Sequence, residues 1–546
     1  MNAIHDGIIL GTGHNALVLQ AYLARSGLRV LSLDRAAVPG GGLVTEENPR
    51  LPGFWHNTHS FFHRAVTAMP WYADLELRRH GAHYIEPELN VALILPDNRS
   101  LQWWTDLDRT VASFAEFSAQ DAATLRRWVD EFQPIVERIL LPESQSPPLA
   151  PERRRELLER SSSGRRLLEV AARSPLEFVE QEFKHDVIRA GLLFFNGLRE
   201  IDPRLQGFGH AIPALLAGRH RAQMCLGGSA RLAEALVNDI HEHGGEVRTG
   251  VEPGAILVRQ GRAAGVELTN GERLEARAFV ASGLNPQQTF LDLLDADVVP
   301  RKTRECAANF QYNRLAPLFA LNLALREPPR YQAAELRPEL NQAFMVILGL
   351  ERLEQFHEIV AAHERGAIPP AVMWGACPTL FDPSQAPPGQ CTAFMWEKLP
   401  YALRGDARNW DTEKEVHGRA MLDLWRRFAP NLDDGVILDS FARSPLDTES
   451  ALPNMRCGDL LVGSFAGNQI GYNRPFPGAG CYRTSEPGLY LCGASTHPGG
   501  NITGLCGYNA AAVLAADLGL DLWWQPPLVE RAWQELEKDP GFPSPA

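Results

Sequence analysis

Short apolar runs broken by glycine-rich turns set the pattern at the start of the chain. Gly7-Ile8-Ile9-Leu10 predicts a buried strand, since an unbroken apolar run of this length suits a strand covered on both faces. Leu17 to Arg25 predicts a helix with Leu17, Ala21 and Ala24 on one face, and Gly27 stands where a helix C-cap belongs. Arg29-Val30-Leu31-Ser32-Leu33 predicts a second strand that ends at Asp34. Further on, Leu232 to His243 reads as a helix. Glu246 to Val251, Ala255 to Arg259, Ala264 to Thr269 and Ala278 to Ser282 read as strands, with Asn270-Gly271 as a hairpin turn. Near the far end, Leu489 to Cys492 reads as a strand and the alanine-rich Tyr508 to Asp517 as a helix. Two blocks lie between these segments. The first, 76–214, holds charged helix-like stretches, Asp121 to Arg138 and Pro151 to Ser174, separated by the proline-rich Pro142 to Pro151. The second, 291–459, holds apolar runs that suggest sheet: Pro317 to Leu325, Ala343 to Leu348, Ala371 to Trp374 and Cys391 to Trp396.

The turn between the first strand and helix carries chemistry. Gly11-Thr12-Gly13-His14-Asn15-Ala16 has the form G-x-G-x-x-A. Gly11 allows the tight turn, Gly13 lets a pyrophosphate approach the backbone, and the small Ala16 lets the helix pack on the sheet. The helix N-terminus offers unpaired N–H groups and a positive dipole end to the phosphates. Asp34 lies 23 residues after Gly11, where a carboxylate accepts hydrogen bonds from ribose hydroxyls. Together these read as a βαβ dinucleotide site. Arg35 stands next to reach a phosphate or ribose, and Gly40 and Gly41 let the chain pass close to a bulky cofactor. No second G-x-G-x-x-G follows a strand, so no separate nicotinamide domain is expected.

Composition narrows the classes. The length of 546 residues gives a prior of about three or four domains. A net charge of −13 over this length argues against bulk nucleic-acid binding. No apolar run is long enough to span a bilayer, and the first residues do not resemble a secretory signal. The eight cysteines show no C-x-x-C spacing and no zinc pattern, so no metal site is expected, and reduced thiols in a cytoplasmic setting are the simplest reading. The arginines between 153 and 173 allow a peripheral contact with anionic lipid. The glutamates interleaved with them favour a solvated helix with internal ion pairs.

The far end completes the picture. Gly493-Ala494-Ser495-Thr496-His497-Pro498-Gly499-Gly500 and the following Asn501 to Gly507 form a second strand–loop–helix, whose helix start can stabilise negative charge on a reduced isoalloxazine ring. The two ends resemble the FAD-binding halves of the phytoene desaturase and flavin amine oxidase superfamily, closest to its phytoene-dehydrogenase-like branch. The likeness rests on Gly11 to Asn15, Thr45-Glu46-Glu47, Pro52-Gly53-Phe54, Asn473-Arg474-Pro475, Leu491 to Ala494 and His497 to Gly500. It implies an α/β fold, a discontinuous Rossmann-type FAD-binding domain with an inserted α+β substrate domain. The FAD domain is expected in three parts, 1–75, 215–290 and 460–525, the substrate domain in two, 76–214 and 291–459, with a C-terminal tail at 526–546.

The resemblance also implies roles. FAD is the expected cofactor. Gly11, Gly13, His14, Asn15, Ala16, Asp34, Arg35, Gly40, Gly41, Gly493, Gly499, Gly500 and Thr503 are expected to hold it. Pro253 falls where the superfamily has a valine whose backbone meets adenine, and proline has no N–H to give. His497 is the foremost acid–base candidate because imidazole titrates near neutrality, with Tyr508 and His59 behind it. The implied reaction moves a hydride from a largely apolar, isoprenoid or polyene substrate to flavin N5, with oxygen or a quinone taking the electrons. Alternatives are an amine or amino-acid oxidase, a polyene saturase or isomerase, and a non-redox prenyl-binding protein.

Overall fold

The computed structural model describes residues 4–195 and 201–536. The first strand, His5–Leu10, lies at the centre of a parallel sheet, flanked by Val30–Leu33 and by the C-terminal half of Arg273–Ser282. Glu246–Arg248 extends it beyond Val30–Leu33, and Leu489–Leu491 extends it beyond Arg273–Ser282. The N-terminal half of Arg273–Ser282 continues into an antiparallel meander with Arg262–Leu268 and Pro253–Arg259. One face carries the helices His14–Arg25, Ala230–Glu242 and Leu505–Leu518, and their apolar sides form a common core with the sheet. The first of these helices ends as its sequence suggests: Gly27 N–H donates to Ala24 O and Leu28 N–H to Leu23 O, the paired bonds of a Schellman cap. The first and last helices touch at Gly507, where an added Cβ would stand 1.9 Å from the Asn15 carbonyl oxygen. Only glycine permits that approach, so the N-termini of both helices point into the same space.

A second seven-stranded sheet runs in the order Ile437–Arg443, Leu318–Leu325, Cys391–Lys398, Met373–Ala376, Met345–Leu348, Leu89–Ile94, Ser100–Trp104. Only the pair Met345–Leu348 and Leu89–Ile94 is parallel. Trp410–Phe428 covers one face, burying Trp410, Met421 and Trp425. Helices between 107 and 217 and the aromatic side chains of the other face form the largest core. Trp128, Phe132 and Phe178 are fully buried there; each such side chain stabilises by about 2–3 kcal/mol relative to exposure.

Three strands of this sheet were not evident from periodicity: Leu89–Ile94, Ser100–Trp104 and Ile437–Arg443. The helix-like stretch over 151–174 holds two helices, Pro151–Glu159 and Ser162–Ala171, because the Ser161 side chain accepts from Gly164 N–H and restarts the helix. Its arginines pair with acids: Arg153 with Glu156 and Glu530, Arg154 with Glu143, Arg155 with Glu159, Arg160 with Glu156, Arg166 with Glu131 and Arg173 with Glu182. The segment expected as a tail begins with a packed helix, Val529–Leu536, which buries Val529, Trp533 and Leu536; residues 537–546 lie outside the described residues. Among the described residues no helix is long and apolar enough to cross a membrane.

Candidate active site

Four strands of the parallel sheet end at one cavity of about 630 Å³. Gly11 follows Leu10, Asp34 follows Leu33, Gly283 follows Ser282, and Gly493 stands two residues past Leu491; all four line it. The chain leaves the central strand toward one edge and returns on the other side, so this is the topological switch point where open α/β sheets take ligands.

The Gly11 turn has φ +88°, which favours glycine. At Gly13, a Cβ would meet no atom within 4 Å, so open space faces the backbone at the start of the first helix. No side chain caps that helix or Leu505–Leu518, and neither carries an acid in its first turn. Asn15 Oδ1 is buried without a hydrogen-bond partner. Uncapped N–H groups and a side-chain-free approach fit a pyrophosphate.

Asp34 organises the turn. Its Oδ2 accepts from Thr12 N–H at 2.7 Å and Thr12 Oγ1 at 2.6 Å, and its Oδ1 from Ala36 N–H at 2.9 Å. Asp34→Ala would remove all three bonds together with the carboxylate expected to face the ribose. An FAD dissociation constant raised about tenfold to a hundredfold is expected, read by titrating apoprotein with FAD; an unchanged constant would show that Asp34 does not face the ribose.

Other expected cofactor residues divide. His14, Asn15, Ala16, Arg35, Gly41, Gly493 and Thr503 line the cavity. His14 Nε2 faces the Asn501 carbonyl at 3.1 Å and ties the first helix to the far loop; burial pushes this imidazole down to about 4, so it is neutral. Trp71 Nε1 donates to the Thr503 carbonyl at 2.6 Å. Gly40, Gly499, Gly500 and Pro253 are not among the lining residues. Gly40 N–H donates to Thr12 O, and Gly499 and Gly500 sit against Phe465 and the Leu461 backbone. Beside Pro253, Val251 N–H donates to Asp34 O.

Neither His497 nor Tyr508 reaches the cavity. His497 is buried with Nε2 3.1 Å from the Glu143 carbonyl. Tyr508 packs edge-on against Tyr22, ring centroids 5.3 Å apart. His59 does line the cavity: its Nδ1 bonds Thr58 Oγ1 at 3.0 Å, and its Nε2 is buried without a partner. Burial and the Arg443 cation hold it down to about 4. His63 is bonded on both nitrogens, to Ser60 Oγ and Tyr84 Oη.

The cavity continues beneath the second sheet. Register places Trp103 opposite Val91, Val91 opposite Met345, and Trp374 opposite Trp396, and these five side chains form an apolar roof. Lys398 lines the same space, its Nζ donating to the Ala316 carbonyl at 2.7 Å. Among the described lining residues the only carboxylates are Asp34 and Glu137, and Glu137 is taken by Arg219 and Gln133. Periodicity could not show this wall, because its residues come from five strands far apart in the chain.

One residue behind the loop was present in the sequence only as part of Asn473-Arg474-Pro475. Arg474 is fully buried and donates to six carbonyls: Leu461, Gly463, Ser464, Gln469, Ala494 and Thr496. It thereby fastens the 461–469 segment to the loop after Leu489–Leu491.

Known proteins share this architecture. A limonene dehydrogenase polypeptide of Castellaniella defragrans is 30% identical over 541 residues, covering 96% of each chain. Pyridine nucleotide-disulfide oxidoreductase domain-containing protein 2 of Rattus norvegicus is 28% identical, covering 94% of each. Cyclohexylamine oxidase from Brevibacterium oxydans has the same fold, with a TM-score of 0.59 at 14% identity over 95% of this chain and 100% of that one. Residues 22–514 match the model of one family, and with the cavity at the strand ends this settles the class: the chain belongs to the flavin containing amine oxidoreductases.

Proposed function

We propose that this oxidoreductase is a dehydrogenase or desaturase of a lipophilic, isoprenoid-like substrate. The observation that carries the reading is the single cavity that joins the dinucleotide cradle to an aromatic roof. An amine oxidase must receive an ammonium or amine, which a free carboxylate or polar group beside an aromatic wall would stabilise. The lining offers Lys398, Arg219 and Arg221 instead, and its two carboxylates are already bonded within the protein. The likeness to a relative named for limonene supports the same direction.

FAD, when bound, supplies the hydride acceptor. The chain does the rest. Asp34, oriented by Thr12, and the start of the first helix hold ribose and pyrophosphate, and the Thr503 end of helix Leu505–Leu518 offers positive dipole to the ring. The roof of Val91, Trp103, Met345, Trp374 and Trp396 orients a carbon skeleton and excludes water, which strengthens every polar interaction beneath it. His59, neutral at pH 7 with Nε2 unpartnered, is the candidate to receive the proton that leaves with the hydride; with its pKa held down to about 4 it would have to pass that proton on at once.

Anaerobic mixing of the yellow holoprotein with terpene hydrocarbons, polyenes, primary amines and amino acids tests this. Bleaching of the flavin absorbance by terpenes or polyenes is expected, with none by amines. Bleaching by amines alone would replace the reading with an amine oxidase. Reoxidation by oxygen or by a quinone then identifies the acceptor.

A further inference from the structure

One wall of the cavity carries a cation with no acid hydrogen-bonded to its guanidinium among the described residues. The guanidinium of Arg221 lies over the Trp103 ring, 5.0 Å from its centroid, and both residues line the cavity. Its Nη1 donates to the Gly218 carbonyl, its Nε is shielded without a partner, and Nη2 donates to no group among the described residues. The nearest acid, Glu86, is used by other groups. Its Oε1 accepts from the Arg221 backbone N–H at 2.8 Å, and its Oε2 from Gln223 Nε2 at 2.9 Å and His220 Nδ1 at 3.2 Å. Burial lowers the Arg221 pKa to about 10, as befits a desolvated charge only weakly compensated by Glu86.

With Nη1 committed and Nε shielded, Nη2 is the donor left to a ligand, and a guanidinium N–H gives a carboxylate a charge-assisted hydrogen bond. A half-buried cation only weakly balanced by a protein acid is costly unless a ligand anion completes it. The position along the roof matters too. Ser100–Trp104 and Cys391–Lys398 are separated by three strands, four steps of about 4.8 Å, so Trp103 and Trp396 stand about 19 Å apart. That span suits an extended chain.

We propose that the Trp103–Arg221 end of the cavity is a carboxylate subsite, which seats the acid terminus of an elongated apolar substrate whose carbon chain runs under the roof toward Trp396. This rests on the lipophilic-substrate reading and gives that substrate a charged end. An isoprenoid acid then binds better than its ester, and far better than its amine.

The test is calorimetric titration of the holoenzyme with farnesoate, methyl farnesoate and farnesylamine. Farnesoate is expected to bind about tenfold or more tighter than the methyl ester, the yield of one charge-assisted pair. Farnesylamine should bind weakest. Arg221→Met should close the gap by weakening the acid, and Arg221→Lys should keep part of it. Equal affinities for acid and ester in the unsubstituted protein, or a gap that survives Arg221→Met, would overturn the subsite while the ester's binding still supports a lipophilic substrate. If none of the three binds, the lipophilic-substrate reading falls and this inference with it. The comparison in the unsubstituted protein decides the matter even where a variant folds poorly.

Discussion

Arg474→Met is expected to strip the protein of flavin and to cost about 4 kcal/mol of stability. Methionine fills much of the arginine stem but donates nothing. Six carbonyls, at 461, 463, 464, 469, 494 and 496, would lose their donor in a place water does not reach. An unsatisfied buried carbonyl costs about 1–3 kcal/mol, and relaxation of the two segments recovers part of the sum. The counter-charge would suffer as well. Asp459, also fully buried, accepts from the backbone N–H groups of Asn313, Leu461 and Gly463, and burial already raises its pKa despite the nearby Arg474 cation. Leu461 and Ala494 both line the cavity, so the loosened segments are those that shape its floor. Urea unfolding and the flavin-to-protein absorbance ratio measure the two effects. Arg474→Lys, with three donors for six acceptors, should fall between. A Met variant with full flavin content and unchanged unfolding would show that the 461–469 and 494–496 segments hold together without the arginine.

What could be read in advance was what local chemistry dictates. The first strand, the glycine turn, the helix and Asp34 lie within thirty residues, and each is specified by its own backbone or periodicity. The helix starts at His14 rather than Leu17 because Gly13 serves as its N-cap, a boundary that apolar spacing does not mark. The family resemblance read from residues at both ends agrees with the family that matches 22–514. Strands were missed where polar residues break the pattern and find partners far away. Asn90 sits inside Leu89–Ile94, fully paired with the Ala222 backbone 132 residues on. Ile437–Arg443 pairs with one strand only and keeps Asp439 and Ser440 half-buried, so its alternation is weak.

The site divides along the same line. The glycines of the turn at Gly11 and Gly13 are visible because their reason is the backbone itself. Side-chain direction is not, because it is settled by contacts across the chain. His497 lies in the expected loop but turns to the Glu143 carbonyl, 354 residues away in sequence. Arg221 lies in a stretch with no motif, yet the fold lays it against Trp103 in the cavity wall. Local sequence therefore locates the cradle, while the substrate end must be read from three dimensions.

Lowering the pH from 7 to 5 is expected to weaken the fold sharply, through histidines held neutral around the cavity. Burial pushes His14, His56 and His59 down to about 4 and His63 down to about 3, from an ordinary value of 6.5. Above pH 6.5 they are neutral in both folded and unfolded chains and contribute no pH dependence. Below it the unfolded chain binds protons that the folded chain refuses until about pH 4. The unfolded state therefore gains protons as pH falls, and stability drops by about 1.4 kcal/mol per pH unit for each histidine. Four together give a limiting slope of about 5 kcal/mol per unit near pH 5. Glu397 and Asp459, buried acids with raised pKa values, act in the opposite sense but are only two among the described residues. Urea unfolding at intervals from pH 8 to 5 should show a plateau, then a steep fall beginning near 6.5. Flavin should be released along the same curve, since His14 and His59 line the cavity. His59→Gln should remove one histidine's share of the slope. Stability that stays level from pH 7 to 5 would mean that these imidazoles take up protons inside the fold, and that His59 is then no neutral acceptor for the proton lost with the hydride.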